Sequence, residues 1–227
     1  RANIAFEGAM AKSFNMRVFA SIKDQALDAS KQLAKDRGAC PDDPTNTIRN
    51  AHLLAVAPNA SSSIICAGTS PSIEPYRANA YTQKTKSGTS LVKNEYLEHM
   101  LQELGMNTDE VWKNIITNGG SVQHLDFLDE YTKDVFKTAV EIDQRWIIEF
   151  AADRQQYICQ SQSVNLFFPA DVSKQELHNV HMLAWRRRMK TLYYARSEAY
   201  KRAEVVSDEA LREFVFDDED GCLACEG

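Results

Sequence analysis

From Arg49 to Ala195, short apolar runs bounded by turn residues alternate with stretches whose apolar residues recur at helical spacing. This alternation leaves few architectures open. His52-Leu53-Leu54-Ala55-Val56-Ala57 is one such run, and its lack of polar residues after His52 predicts a strand buried on both faces. Ser163-Val164-Asn165-Leu166-Phe167-Phe168-Pro169 and Thr191-Leu192-Tyr193-Tyr194-Ala195 read as two further strands. Helices are predicted at about 95–104, 108–117, 143–156 and 174–188, the last opened by the capping box Ser173-Lys174-Gln175-Glu176. Ahead of them, Phe19, Ile22, Ala26, Ala29 and Leu33 mark one face of a long helix from about Asn15 to Arg37, with Gly38 as its stop. Strands separated by helices form parallel sheets and carry their functional residues to a common end. The predicted class is therefore α/β. No internal repeat is apparent.

Composition narrows the setting. With 44% apolar and 26% charged residues in 227, the chain can bury a sizeable core. Its net charge of −6 gives no general attraction to nucleic acid or to an anionic membrane. The one basic cluster, Trp185-Arg186-Arg187-Arg188, lies in a helical pattern and reads as a solvated face. No run approaches the roughly 18 to 20 apolar residues of a membrane span, and no signal-peptide core is present, so a cytoplasmic protein is expected. The chain starts at Arg1 without a methionine, which suggests a piece of something longer. From Ser207 onward eight acidic residues stand against one arginine in 21 positions, the composition of a mobile tail. The domains expected are residues 1–206 as a folded body and 207–227 as that tail.

Five cysteines at 40, 66, 159, 222 and 225 do not form a secreted disulfide framework. Cys40, Cys66 and Cys159 have apolar neighbours and read as small buried hydrophobes. Cys222 and Cys225 are different, a CxxC pair six residues from the end with nothing after it to build a fold. A zinc site needs four ligands, and no second CxxC accompanies the five histidines, so no metal is expected. The acidic run Asp217 to Asp220 raises the thiol pKa, where a thioredoxin-type pair has it depressed. Such a pair suits a shuttle reduced by an outside partner.

Two other features carry candidate chemistry. Pro58-Asn59-Ala60-Ser61-Ser62-Ser63 follows the first apolar run with small residues and hydroxyls, able to cradle a phosphate without a lysine or arginine; a plain Ser/Asn turn has the same composition. Tyr193-Tyr194 is a vicinal pair on a predicted strand. Strand alternation puts one ring in the core and one outside, whereas a relay of electron and proton needs the two phenols in contact. His178 and His181, three apart on the last helix, read as packing and surface residues.

Together, phosphate loop, tyrosine pair and thiol tail make the chain resemble the C-terminal third of the large, catalytic subunit of class I ribonucleotide reductases, specifically the class Ia, ribonucleoside-diphosphate form. The segments KQLAKDRGACP, RNAHLLAVAPNASSS, GTSPSIEPYRANAYTQKTKSG, DRQQYICQSQSVNLFF and MKTLYYARSEA are similar to that family in its own order. The resemblance implies the second part of a ten-stranded α/β barrel followed by a flexible tail. It implies that Asn59, Ala60, Ser61 and Ser62 receive the substrate's diphosphate, Ala60 through its backbone only. Tyr194 and Tyr193 are then the outer and inner steps of a radical path from a metal-bearing small subunit, and this chain itself binds no cofactor. Cys222 and Cys225 become thiols that thioredoxin or glutaredoxin reduces. The family's finger loop, with its thiyl-forming cysteine, its turnover cysteine pair and its nucleotide-binding N-terminal cone have no counterpart here, so the chain is expected to need an N-terminal piece and to be inactive alone. The Cys40 to His52 connection is shorter than the family pattern. A non-catalytic, thiol-bearing interaction module is the alternative; it leaves the loop and the tyrosines as accidents.

Overall fold

The computed structural model describes residues 2–66, 70–85 and 88–197. In chain order its elements are α1 (Ala9–Arg37), α2 (Ala60–Ile65), β1 (Ala80–Thr85), β2 (Gly88–Lys93), α3 (Glu95–Glu103), α4 (Asp109–Thr117), α5 (Glu130–Val135), α6 (Gln144–Gln155), β3 (Leu166–Phe168), α7 (Lys174–Arg186) and β4 (Ala195–Ser197). They gather into two compact units, residues 78–126 and residues 2–77 with 127–197.

The smaller unit is built from local contacts. β1 and β2 form an antiparallel hairpin in the register Ala80 opposite Lys93 and Thr82 opposite Leu91. Asn94 caps α3 by accepting from the Tyr96 N–H, and Thr108 caps α4 by accepting from Val111. Apolar residues at helical spacing, Leu97 with Leu101 and Trp112 with Ile115, are fully buried. Gly120 closes the unit with φ +82°, and a Cβ there would collide with Ala78, so no other residue fits. Its carbonyl accepts from both the backbone N–H and the side-chain amide of Asn79, each at 3.0 Å.

The larger unit holds the parallel strands. β3 pairs with β4, Leu166 opposite Ala195 and Phe168 opposite Ser197, and Val56 forms a parallel bridge to Gln162. The core beneath consists of Ile147, Ile148 and Ala151 of α6, Val164, Leu166 and Phe168, and Val180 and Ala184 of α7. Cutting Ile148 back to alanine would cost about 2–5 kcal/mol, because the site is fully enclosed. Asp143 starts α6 by accepting from the Arg145 N–H, and Ser173 starts α7 by accepting from Glu176, as its capping sequence predicts. α1 lies on α6, with the Asn15 amide donating to the Phe150 carbonyl at 3.1 Å and the Phe6 and Phe150 rings 5.0 Å apart.

Three expectations change. The long helix begins at Ala9, not Asn15, and Ile22 and Ala29 of its predicted face are exposed. Residues 52–57 are not a strand buried on both faces: Leu53, Leu54 and Val56 are half-buried and the others exposed. Among the described residues this segment has a β-partner on one edge only, so an apolar composition alone does not enclose it. Cys66 and Cys159 are exposed and Cys40 half-buried, so none is the buried hydrophobe its neighbours suggest. The hairpin β1–β2 was not read from the sequence.

Candidate functional site

The candidate residues converge on one stretch of chain, residues 160–168. In an extended strand alternate residues turn their backbone groups to opposite edges. Here the two edges meet different partners.

Towards one edge lie the tyrosines. The Tyr193 N–H donates to the Val164 carbonyl at 2.8 Å, and the Leu166 N–H donates to the Tyr194 carbonyl at 2.8 Å. These bonds precede the regular pairing of β4, so the two tyrosines sit just before the strand and not inside it. Alternation therefore does not separate their rings. The centroids are 4.2 Å apart with the planes at 60°, an edge contact. Tyr194 is half-buried, and the Arg196 guanidinium lies 5.0 Å from its ring centre. Tyr193 is 41% exposed. Lys190 braces the approach: its ammonium donates to the carbonyls of Ile158, Cys159 and Gln160 at 3.3, 2.8 and 3.0 Å.

Towards the other edge lies the serine loop. Val56 donates to the Ser161 carbonyl at 3.2 Å, and Ser163 donates to the Val56 carbonyl at 2.8 Å. Two residues earlier the backbone N–H groups of Leu53 and Leu54 donate to the Cys159 Sγ at 3.0 and 3.2 Å. Burial pushes the Cys159 thiol up, but the N–H groups of Leu54 and Leu53 outweigh it and hold the thiol below its ordinary range. After Val56 the chain leaves the sheet. Asn59 precedes the short α2, and the N–H groups of Ala60, Ser61 and Ser62 have no acceptor within the helix. Asn59, Ala60, Ser61 and Ser62 are exposed, with Ser62 Oγ donating to Asn59 Oδ1 at 3.4 Å. Ser63 is buried, its hydroxyl donating to the Ala60 carbonyl at 2.8 Å. The turn is thus held by Ser63 and by the Ser62 hydroxyl on Asn59, while Ser61 and Ser62 remain exposed.

The loop returns through Ser70 and Pro71, whose carbonyl accepts from the Asn59 N–H at 3.1 Å. It ends at Glu74, a carboxylate 3% exposed. Glu74 Oε1 accepts from the Asn165 backbone N–H at 2.9 Å and Oε2 from the Asn165 amide at 3.1 Å. One residue pair further, Gln144 Oε1 accepts from the Phe167 N–H at 2.7 Å. Beside them Arg154, also 3% exposed, donates from Nε to Gln162 Oε1 at 2.6 Å. Burial pushes this guanidinium down to about 10, against the opposing pull of the Glu74 charge.

The four loop residues and both tyrosines thus flank a single strand. Cys222 and Cys225 lie outside the described residues. His178 and His181 are exposed, and the His181 Nδ1 lies 2.7 Å from the Leu177 carbonyl of its own helix. Glu74, Asn165, Lys190 and Arg154 were not singled out from the sequence. For Asn165 a signal existed: an asparagine inside Val-Asn-Leu-Phe-Phe must find a partner if the run is buried. Among the described residues no helix is long and apolar enough to cross a membrane, and no cluster of three or more His, Cys, Asp or Glu side chains is placed to hold a metal ion.

Comparison with known proteins agrees with the motifs. The family model described as ribonucleotide reductase, barrel domain, matches residues 44–195. The ribonucleoside-diphosphate reductase large subunit of Invertebrate iridescent virus 6 is 49% identical over 210 residues, covering 90% of this chain and 22% of that protein. A putative ribonucleoside-diphosphate reductase large subunit of Frog virus 3 is 43% identical over 224 residues, 99% of this chain and 39% of its own length. Among solved structures, the Actinobacillus ureae class Id ribonucleotide reductase alpha subunit superposes with a TM-score of 0.80 at 38% identity, over 87% of this chain and 36% of that one. The architecture is accordingly of the α/β barrel type, and the chain spans between about a fifth and two fifths of the length of these relatives.

Proposed function

Since the chain belongs to the ribonucleotide reductase large-subunit family, we propose that it supplies the diphosphate loop, the tyrosine pair and the thiol shuttle of a ribonucleoside-diphosphate reductase. The observation that carries this reading is the edge contact of Tyr193 and Tyr194 at 4.2 Å. Two phenols held that close exchange a hydrogen atom without either ring having to move far. A one-electron oxidant in the small subunit takes an electron from Tyr194, whose phenolic proton leaves to base or water. The Tyr194 phenoxyl then takes a hydrogen atom from Tyr193. The Tyr193 phenoxyl in turn takes one from the cysteine thiol of the N-terminal piece, leaving the thiyl that attacks the substrate.

The exposed Ser61 and Ser62, with the N–H groups of Ala60 to Ser62, support diphosphate binding at the loop. Asn59 adds its amide, although in this chain that amide donates to the Ala57 carbonyl at 3.0 Å. Cys222 and Cys225 carry electrons from thioredoxin or glutaredoxin to the turnover disulfide. The class Ia assignment rests on the motifs of this chain, as do the ten-stranded closure of the barrel with the N-terminal piece and the cytoplasmic setting.

The test is an assay for deoxyribonucleoside diphosphate formation. The chain is assembled with the N-terminal piece, the small subunit and thioredoxin, and compared with the Cys222→Ser, Cys225→Ser double variant. The double variant should complete one reduction with prereduced thiols and then stall, and dithiothreitol should restore slow turnover. Full thioredoxin-dependent turnover in the double variant removes the shuttle. An assembled wild type that forms no product removes the whole reading.

A further inference from the structure

The extended stretch 160–168, which ends in β3, is asymmetric in a way that the diphosphate loop and the tyrosine pair do not explain. On the tyrosine edge its N–H and C=O groups meet main chain from Val164 onward, after the Gln160 and Gln162 carbonyls have accepted from the Lys190 ammonium and the Thr191 hydroxyl. On the loop edge they meet main chain only as far as Ser163, because the segment through Val56 leaves the sheet at that point. The next N–H on that edge belongs to Asn165, and a carboxylate takes it. Glu74 occupies the place of a missing strand neighbour.

Register shows where this graft falls. Counting from the Val56–Gln162 bridge, Asn165 is level with position 59, where the loop residues begin. Counting from Leu166 opposite Ala195, Asn165 is level with Tyr194. Asn165 is therefore flanked on one side by the tyrosine pair and on the other by the returning end of the loop. Its neighbours Val164 and Leu166 make the two backbone bonds to Tyr193 and Tyr194.

The loop is consequently fastened at two feet. Its entry foot is Val56, bonded to Ser161 and Ser163. Its exit foot is the turn 70–74, in which Ser70 Oγ donates to the Glu74 carbonyl at 3.1 Å and Pro71 accepts from the Asn59 N–H. The Glu74 side chain ties that turn to residue 165 by two hydrogen bonds to Asn165. The buried Glu74 charge is held by the two Asn165 donors and feels the buried Arg154 guanidinium, so taking away a partner leaves a buried group uncompensated.

We propose that Glu74 is a positioning residue, fixing the exit foot of the diphosphate loop to the stretch on which the tyrosine pair is seated. Diphosphate affinity and radical transfer then depend on the same carboxylate. The inference rests on the reading of the loop and tyrosines proposed above.

The test uses the assembled reductase with Glu74→Asp, Asn165→Asp and the double variant Glu74→Gln, Asn165→Asp, measuring KM for a ribonucleoside diphosphate and kcat per assembled enzyme. Asn165→Asp sets two carboxylates face to face and should raise KM about tenfold while lowering kcat, with partial recovery as falling pH lets the pair share a proton. The double variant exchanges the carboxylate and the amide across the contact and should bring both constants back to within about threefold of wild type. Glu74→Asp keeps the charge but is one methylene too short to reach both donors, so it should raise KM even if Asn165→Asp fails to assemble. Wild-type KM in both single variants overturns the proposal, as does a double variant no better than Asn165→Asp. Ser61→Ala with Ser62→Ala, and Tyr194→Phe, serve as controls. If the serine pair leaves KM unmoved, or Tyr194→Phe keeps turnover, the proposed site itself falls; if both controls behave and the Glu74 set does not, only this inference does.

Discussion

The serine loop and the tyrosine pair lie on opposite edges of one strand, yet they are held by different means. The tyrosines are fixed by main-chain bonds at 2.8 Å on either side of Asn165, followed at once by β4. The loop is fixed by a thiol under Leu53 and Leu54, by one bridge at Val56, and by the Glu74 carboxylate at its exit. Main-chain ladders survive most substitutions, because any residue supplies the same N–H and C=O. Side-chain anchors do not. Two rings that exchange a hydrogen atom need a fixed separation, whereas a loop that receives a diphosphate needs open donors, as its exposed Ser61 and Ser62 offer. The difference teaches that function here is more fragile on the loop side, even where the substituted residue is remote from the phosphate.

The largest effect separates the two edges completely. Tyr193→Phe or Tyr194→Phe deletes one oxygen and keeps the ring, so assembly and KM should be unchanged while turnover falls to background; substantial turnover in either variant would make the pair structural. Next in size is Ser61→Ala with Ser62→Ala, which removes two donors to a charged group and should raise KM by about tenfold or more with little change in kcat. A matching fall in kcat would mean that the two hydroxyls act on more than diphosphate binding. Cys159→Ala should raise KM a few-fold by leaving the Leu53 and Leu54 N–H groups without their acceptor, and Cys159→Ser should restore it. In the wild type, the pH midpoint for alkylation of Cys159 should fall below the ordinary thiol range, in keeping with its depressed pKa.

The smallest effect concerns the scaffold beneath both edges. The Thr132 N–H and hydroxyl hold the Asp129 carboxyl below its usual range. Burial pushes Asp143 up, but the Arg145 guanidinium and N–H more than reverse this. Both carboxyls are lower in the folded than in the unfolded state, so their stabilisation is complete above about pH 4 and is lost as the pH falls through the folded values. Melting of the assembled protein between pH 5 and 2 should drop less steeply in an Asp129→Asn, Asp143→Asn double variant. Parallel curves would assign acid sensitivity elsewhere.

Local chemistry made much of this fold legible. Four helices fall within two residues of their periodicity and caps, because Asn94, Thr108, Asp143 and Ser173 begin them by bonds that the sequence writes directly. The loop and the tyrosine pair were legible as motifs and the parallel order was expected, but the tyrosines were read inside a strand that begins only after them. What stayed hidden depended on partners distant in sequence. Residues 52–57 look enclosed because they are apolar, but enclosure requires a second neighbour. The hairpin 80–93 has few apolar residues and weak alternation, so it left little signal beside Ser87-Gly88 as a turn. Glu74 and Asn165 are 91 residues apart, and nothing local announces that one completes the other.

The ammonium of Lys190, gripped by three successive carbonyls, also governs how the chain can be cut. Arg186, Arg187, Arg188 and Lys190 make five residues of α7 and its exit the densest trypsin target in the sequence, and they stand directly upstream of the tyrosines. Arg187 is engaged by Glu149 and Asp153, and Lys190 by the 158–160 carbonyls, so a cut after either of these two must first pull its side chain out, whereas Arg186 and Arg188 are exposed. Cleavage at this joint would sever the tyrosine segment from the helical core in one step. The time course of that single cut would thus serve as a clock for how firmly the segment is seated, readable on a gel without any assay of catalysis.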